Sequence, residues 1–464
     1  MAETTKTETK GQAKLRLSAL VPYLWLVLVL ASVAALSIGA GDAIVLRLMQ
    51  LEDAPAAPAL AAIALFAATS FASYYATWRT PIPSFVVATA IGIAGHKLFA
   101  PIVSDPTLLA TLVTGSAAII LFSGGLEMPL RDFLRLFGKI ALLAIPGVLL
   151  TGFALSQTIG IVGAAQGVII VPAVIILLGA ILASTDPAAI IPVLEHVRFK
   201  RRDPKDIVIA ESALNDVVGT LVTSAFLKLP LAALALVPAY ASLVSGETFK
   251  FLGVQIALGV LFGLLGFVLL WLLSHMKRRH AAHFGADQVY FLATPILVFV
   301  GAAAFGGSGF LAAFIAGLVF DAEEHLREIE RFFFQIVDGV AKPVIFVLVG
   351  ALVDIKSLIA FAPVGIAVGL VFMFILRPAM VFLMLGGFTL VRDPARRLSV
   401  RELLFISFVR ETGAIPAVLL VTAVARVTTP VPGLVEIGMW VILLTLVIAP
   451  PLTPFVARRL GVAD

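Results

Sequence analysis

The chain has 464 residues, 61% hydrophobic and 13% charged, with a mean hydropathy of +1.09 and a formal charge of +5. Soluble domains are about a quarter charged and at most half apolar, so a soluble enzyme, a disordered chain and a nucleic-acid binder are excluded. The absence of cysteine removes disulfides and thiolate chemistry, and six histidines without a His-x-x-x-His pair argue against zinc.

Crossing a hydrocarbon core of about 30 Å takes roughly 20 apolar residues per helix. Such runs fall near 19–38, 56–78, 82–103, 107–123, 136–157, 166–184, 206–226, 250–275, 287–303, 308–321, 333–353, 359–389, 403–425 and 434–457. They predict an all-α polytopic membrane protein with 13–14 transmembrane helices. Strand alternation is absent, which argues against a β-barrel. The runs at 287–303 and 308–321 are short and glycine-rich, as tilted, broken or merged spans would be. Residues 1–18 read as a polar cytoplasmic tail, 19–55 as an extra helix and loop, 56–457 as the main membrane domain and 458–464 as a second cytoplasmic tail. The run at 19–38 follows a basic leader and ends in small residues, so a cleaved signal sequence is its alternative reading.

The loop charges support this count. With the N-terminus inside, alternation of the spans sends 24 of the 33 Lys and Arg residues to the cytoplasmic side and six to the other. That is the bias expected of cytoplasmic loops. Lys342, Arg377 and Arg410 remain within spans. Lys342 has Asp338 one turn earlier, which predicts a local pair.

One offset of 225 residues aligns distant blocks. It sets Phe85, Ala88 and Gly92 on Phe310, Ala313 and Gly317, Gly125 on Gly350, and Ala189, Ile190, Val193 and Leu194 on Ala414, Ile415, Val418 and Leu419. Seven spans separate the two unit starts, so units near 82–226 and 308–457 have inverted topology, an architecture of secondary transporters.

The polar residues inside these units are the functional candidates, because charge in a membrane is expensive. Ser184-Thr185-Asp186-Pro187 closes one apolar run, and proline should open the helix there, freeing carbonyls near Thr185 as monovalent-cation ligands. At the same offset Thr185-Asp186 meets Arg410-Glu411, beside Gly413 and Pro416, so both units interrupt an equivalent helix. A pair of ordinary helix caps is the alternative. The next span carries Glu211-Ser212-Ala213-Leu214-Asn215-Asp216, with Glu211 and Asn215 on one face and Ser212 and Asp216 on its neighbour. Asp216 is the deepest acid, and a carboxylate there can hold either a cation or a proton, which couples the two by competition. Arg377, mid-span, needs an anion, and Glu211 is the best candidate.

Thr185-Asp186-Pro187, Glu211-Ser212-x-x-Asn215-Asp216, Ser308-Gly309-Phe310-Leu311-Ala312 through Ala316-Gly317, and Arg377 resemble, in this order, the monovalent cation:proton antiporters, specifically their NhaP-like sodium/proton exchanger branch. The likeness spans about residues 56 to 457 and leaves the first helix outside the branch's usual pattern. It implies a homodimer in which one bundle forms the interface, and a second bundle with crossed broken helices moves the ion. Carried over by position, Asp216 holds the cation or proton, with Ser212, Thr185 and Asp186 in support. Asn215 replaces the first acid of the pair found in electrogenic relatives, and Glu211 with Arg377 matches a stabilising ion pair. Ser123, in Leu121-Phe122-Ser123-Gly124-Gly125, stands where many members have an acidic ligand.

The resulting expectation is a cell-membrane protein with both termini cytoplasmic. It exchanges one Na+ for one H+ without net charge movement and without a cofactor, its partners being the ions and the lipid bilayer. A K+/H+ exchanger (with Li+ a further cation to test), a K+ efflux protein and an ion channel are the alternatives. An intramembrane enzyme lacks any supporting Ser/His or metal-ligand constellation.

Overall fold

A computed structural model describes residues 2–50, 57–77, 83–185, 191, 194, 197–231, 235–280, 287–320, 326–393, 397–426 and 431–464. Nearly all of them are helical. In chain order the helices are α1 (Ala2–Met49), α2 (Ala57–Thr77), α3 (Ser84–Ala94), α4 (His96–Val103), α5 (Pro106–Leu126), α6 (Leu130–Ala165), α7 (Pro172–Leu182), α8 (Asp203–Phe226) and α9 (Leu236–Ser242). They continue as α10 (Gly246–His280), α11 (Asp287–Ala304), α12 (Gly309–Val319), α13 (Arg327–Ala351), α14 (Ile355–Thr389), α15 (Val400–Phe408), α16 (Ala414–Arg426) and α17 (Leu434–Arg459).

Among the described residues nine helices are long and apolar enough to cross a membrane, and the pair α3–α4 is a tenth. Shorter apolar helices lie at Ile63–Ser73 within α2 and at α7, α12 and α16. Each of the fourteen apolar runs thus has a helical counterpart, and the chain is a multi-span membrane protein. Two of the runs need correction. The run at 82–103 is bent by 88° at Gly95, where a residue of low helix propensity interrupts the ladder. The first span continues past residue 38 to Arg47, and Asp42 pairs there with Lys97 of α4 at 2.6 Å. The short helix at 309–319 stays separate from α11.

Two helix crossings are so close that only glycine fits. A Cβ on Gly92 would lie 2.2 Å from the Val347 carbonyl oxygen, and one on Gly350 would lie 2.3 Å from that of Thr89, so α3 and α13 touch backbone to backbone. A Cβ on Gly125 would meet the Phe314 oxygen at 2.3 Å, and one on Gly317 the Phe122 oxygen at 2.2 Å, which locks α5 to α12. Small residues allow such approaches where lipid supplies no hydrophobic drive between helices.

The polar chemistry sits on α6–α8 and α14–α17. Helix α6 packs on α7, α14 on α17, and α8 runs among them, buried along most of its length. Three π-helical turns, Leu143–Gly147, Val337–Ala341 and Phe372–Leu376, occur at or just before Pro146, Pro343 and Pro378. Proline lacks the N–H that would close a regular turn, and a widened turn absorbs the loss. Beyond Arg459 the chain turns back. The Asp464 N–H donates to the Arg198 carbonyl, and the Lys200 N–H to that of Val462, both at 3.0 Å, so the tail is docked against 198–200.

Candidate ion-binding site

Helix α7 ends at Leu182 and residues 184–185 are outside any helix, so the opening begins several residues ahead of Pro187. Asp186 and Pro187 lie outside the described residues. The second interruption runs over 409–413, between α15 and α16. The two meet through Arg410. Its Nη2 donates to the carbonyls of Ala183 at 2.5 Å and Leu182 at 3.4 Å, and its guanidinium lies 4.4 Å from the centre of the Phe372 ring. The carbonyls of Leu182 and Ala183, just ahead of Thr185, thus face a guanidinium. A cation at the C-terminal end of a helix is favoured by the dipole as well as by the hydrogen bonds.

Helix α8 supplies the centre. Glu211, Ser212, Asn215 and Asp216 are all buried, as are Thr185 and Ser123. Arg377, which follows the widened turn on α14, donates from Nη1 to Glu211 Oε1 at 3.0 Å and from Nη2 to Oε2 at 2.9 Å. Asn215 Nδ2 donates to Glu211 Oε1 at 2.9 Å and to Thr185 Oγ1, while Asn215 Oδ1 accepts the Thr185 N–H at 2.8 Å. Ser212 Oγ donates to Thr185 Oγ1 at 3.0 Å. One chain of bonds therefore links Arg377, Glu211, Asn215, Thr185 and Ser212, beside Asp216.

The residue types follow from donor and acceptor counting. Asn215 uses both N–H groups and its oxygen, and an aspartate in its place would bring a second negative charge against Glu211. Thr185 Oγ1 accepts twice, so its hydroxyl must give up one bond before it can coordinate a cation. Glu411 is buried next to Arg410, and Arg410 lies within electrostatic reach of Glu211, Asp216, Arg377 and Glu411. Thr412 donates its N–H to Thr445 Oγ1 of α17 at 3.1 Å, anchoring the second interruption.

At one end of the bundle a cavity of about 460 Å³ opens between α5, α8 and α13. Glu127, Asp132, Asp206 and Asp338 line it together with Lys205 and Lys342. Lys342 reaches Asp338 one turn away on α13. Ile209 of α8 also lines it, and Asp216 lies two turns, or about 10 Å, further along the same helix. Sequence reasoning missed this vestibule, which comes together from three distant segments. It missed the Arg410 contact too, since no local pattern indicates a partner more than 220 residues away.

Residues 61–459 match the family described as "Sodium/hydrogen exchanger, transmembrane". The chain is 29% identical over 373 residues to a K(+)/H(+) antiporter NhaP2 of Shewanella sp. (strain ANA-3), covering 77% of this chain and 59% of that one. It is also 29% identical over 353 residues to a K(+)/H(+) antiporter NhaP of Alkalimonas amylolytica, covering 74% and 56%. It thus spans less than two thirds of the length of these relatives. Its fold is similar to that of the sodium proton antiporter MjNhaP1 from Methanocaldococcus jannaschii, with a TM-score of 0.65 at 22% identity, over 87% of this chain and all of that one. With the family matched along most of its length, the chain belongs to the sodium/hydrogen exchangers.

Proposed function

We propose that the protein is an electroneutral monovalent cation/proton antiporter in which Asp216 is the exchanging carboxylate. One observation carries this reading: Asp216 is a buried carboxylate on α8, next in the chain to Asn215 and the bonded group of Glu211, Ser212 and Thr185. Glu211 is held by Arg377, to which it is doubly bonded, while Arg410 lies within electrostatic reach of Asp216 as well as of Glu411. A buried carboxylate such as Asp216 is neutralised either by one proton or by one monovalent cation. A low-dielectric site that tolerates either partner, but not both and not neither, exchanges them one for one.

Alternating access follows if the bundle carrying α8 moves against the bundle of α3, α5, α12 and α13. The vestibule would then be the cytoplasmic entrance, since the loop charges put that end inside. A cation displaces the proton from Asp216, with Ser212 and Thr185 contributing oxygens once the Thr185 bonds rearrange. Asp186 belongs to the same proposed set, and Ser123 on α5 is a neutral substitute for an acidic ligand. Two inverted units are supported by the glycine crossings: a shift of 225 residues carries Gly92 to Gly317 and Gly125 to Gly350, which exchanges one crossing for the other. A homodimer in the cell membrane with cytoplasmic termini completes the reading.

Sodium is the first cation proposed. Potassium is the second reading, favoured by the names of the curated relatives. Purified protein in proteoliposomes, assayed with Na+, K+ and Li+ in turn, decides between them. Electroneutral exchange leaves proton flux unaffected when the membrane potential is clamped, whereas a channel passes current. Asp216→Asn should abolish flux with every cation. Parental flux in that variant would overturn the assignment.

A further inference from the structure

We propose that the end of the bundle carrying the vestibule has a second binding site, for a phosphate-bearing anion, formed where the loop before α8, the start of α15 and the docked tail converge. A cavity of about 510 Å³ opens there, and Lys200, Arg201 and Arg401 line it, with Glu402 the acid among the lining residues. The three cations differ in their commitments. Arg201 is engaged by Glu402 at 3.4 Å, by Asp203 at 3.3 Å and by the Arg397 carbonyl at 3.0 Å, so it is a fixed wall. Among the described residues Lys200 has only a long contact of 3.9 Å to Asp464, with both side chains largely in solvent. Arg401 lies over Gly461, and no acidic partner holds it among the described residues. Two cations on a common cavity are therefore available to a ligand.

The surroundings point to its chemistry. Val400 and Leu404, one turn apart on α15, are 54% and 40% exposed, so an apolar strip begins where the cationic cavity ends. A hydrocarbon chain beside a phosphate group matches that sequence of surfaces, and arginine pairs with phosphate through two parallel N–H bonds. The general excess of Lys and Arg in cytoplasmic loops explains why cations occur at this end. It does not explain why cations from 200–201 and 401 converge on one cavity closed by residues 461–462. A bound anion would tie together the cytoplasmic ends of α8, α15 and α17, the helices that carry Asp216, Arg410 and Thr445.

The anion can come from a lipid headgroup or from solution, and one experiment separates the two. Purified protein is titrated with phosphatidylglycerol in mixed micelles, with phosphatidylcholine, and with inorganic phosphate, while its melting temperature is followed. Wild type should gain at least about 2 °C with phosphatidylglycerol and less with phosphatidylcholine. The pair Lys200→Gln and Arg401→Gln should lose at least half of that difference, and the single variant Arg401→Lys, which keeps the charge but not the paired N–H bonds, should lose less than the pair does. A saturable gain with inorganic phosphate that the double variant loses supports the site with a soluble anion as occupant. An equal response of wild type and double variant to all three additives overturns it. The double variant should match wild type in unliganded melting temperature, because both side chains are exposed. If it melts earlier, Lys200→Gln alone and Arg401→Gln alone are compared in the same titration, and the site is rejected when neither reduces the lipid response.

Discussion

Helix α8 meets acidic chemistry in two settings. In its first turn Asp203 and Asp206 share Arg135 at 3.5 Å each, with Lys139 and Arg201 close by, at the rim of the vestibule. One to two turns further, Glu211 forms a closed bidentate ion pair with Arg377 and is 1% exposed. The outer charges have several alternative partners and water. The inner ones have one geometry each. Redundancy makes the outer network tolerant, and its absence makes the inner one both costly and specific.

The largest stability effect should come from breaking the inner pair. Glu211→Ala leaves the Arg377 guanidinium buried without its carboxylate and removes an acceptor from Asn215, a cost of about 3–5 kcal/mol. The check is thermal unfolding in detergent, and a melting temperature equal to wild type would remove the distinction between the two ends of α8. Glu211→Leu combined with Arg377→Leu should recover most of the loss, because an apolar pair needs no compensation. Recovery without exchange activity would assign the pair to positioning Asn215 and Thr185 as well as to stability.

Arg410→Gln comes next. The Leu182 and Ala183 carbonyls lose a charged donor, and the Phe372 ring loses its cation, for about 1–3 kcal/mol. Transport should fall more steeply than stability, because the buried acids within reach of Arg410, Asp216 among them, lose a positive charge. A variant with unaltered flux and apparent cation affinity would show that the local charge balance does not set the exchange.

The same contrast explains what could be read from the sequence. Spans, interruptions and the cluster on α8 are local patterns: apolar runs, Thr185-Asp186-Pro187, the glycine and proline around Arg410, and the spacing from Glu211 to Asp216. A bidentate partner for Glu211 was reachable by elimination, because Arg377 is a mid-span cation with no acid on its own helix turn. The bend at Gly95 was not legible, since a hydropathy window averages over one glycine. Nor was the Arg410 contact, because an arginine beside Glu411 suggests a carboxylate partner rather than two carbonyls 227 and 228 residues earlier. Glycines matched at a fixed offset were visible as a repeat, but only the packing reveals that they are crossing points.

Those crossings give a third prediction. Gly125→Ala and Gly317→Ala each place a methyl group against backbone, and overpacking of this kind costs about 1–3 kcal/mol. The two should be similar in size, because each opposes the other's helix at one crossing. They should lower melting temperature without changing which cation is transported. A switch in cation preference would move the ion path from α8 toward α5 and α12.

The smallest effect belongs to the rim. Arg135→Ala removes a guanidinium that is 54% exposed and sits 3.5 Å from each of Asp132, Asp203 and Asp206. Each contact is long, exposed and screened, so the loss should be at most about 1 kcal/mol and should shrink as salt is raised. Asp203 keeps Arg201 at 3.3 Å and Lys139 at 4.0 Å, so it is not left without a counter-charge. Three neighbouring carboxylates with one cation fewer also make the vestibule more negative, which should lower the cation concentration needed for half-maximal exchange at low ionic strength but not at high. Urea or thermal unfolding and flux titrations at two salt concentrations separate these consequences. A stability loss as large as that of Glu211→Ala would mean that the rim network, in spite of its exposure, is as singular as the buried pair.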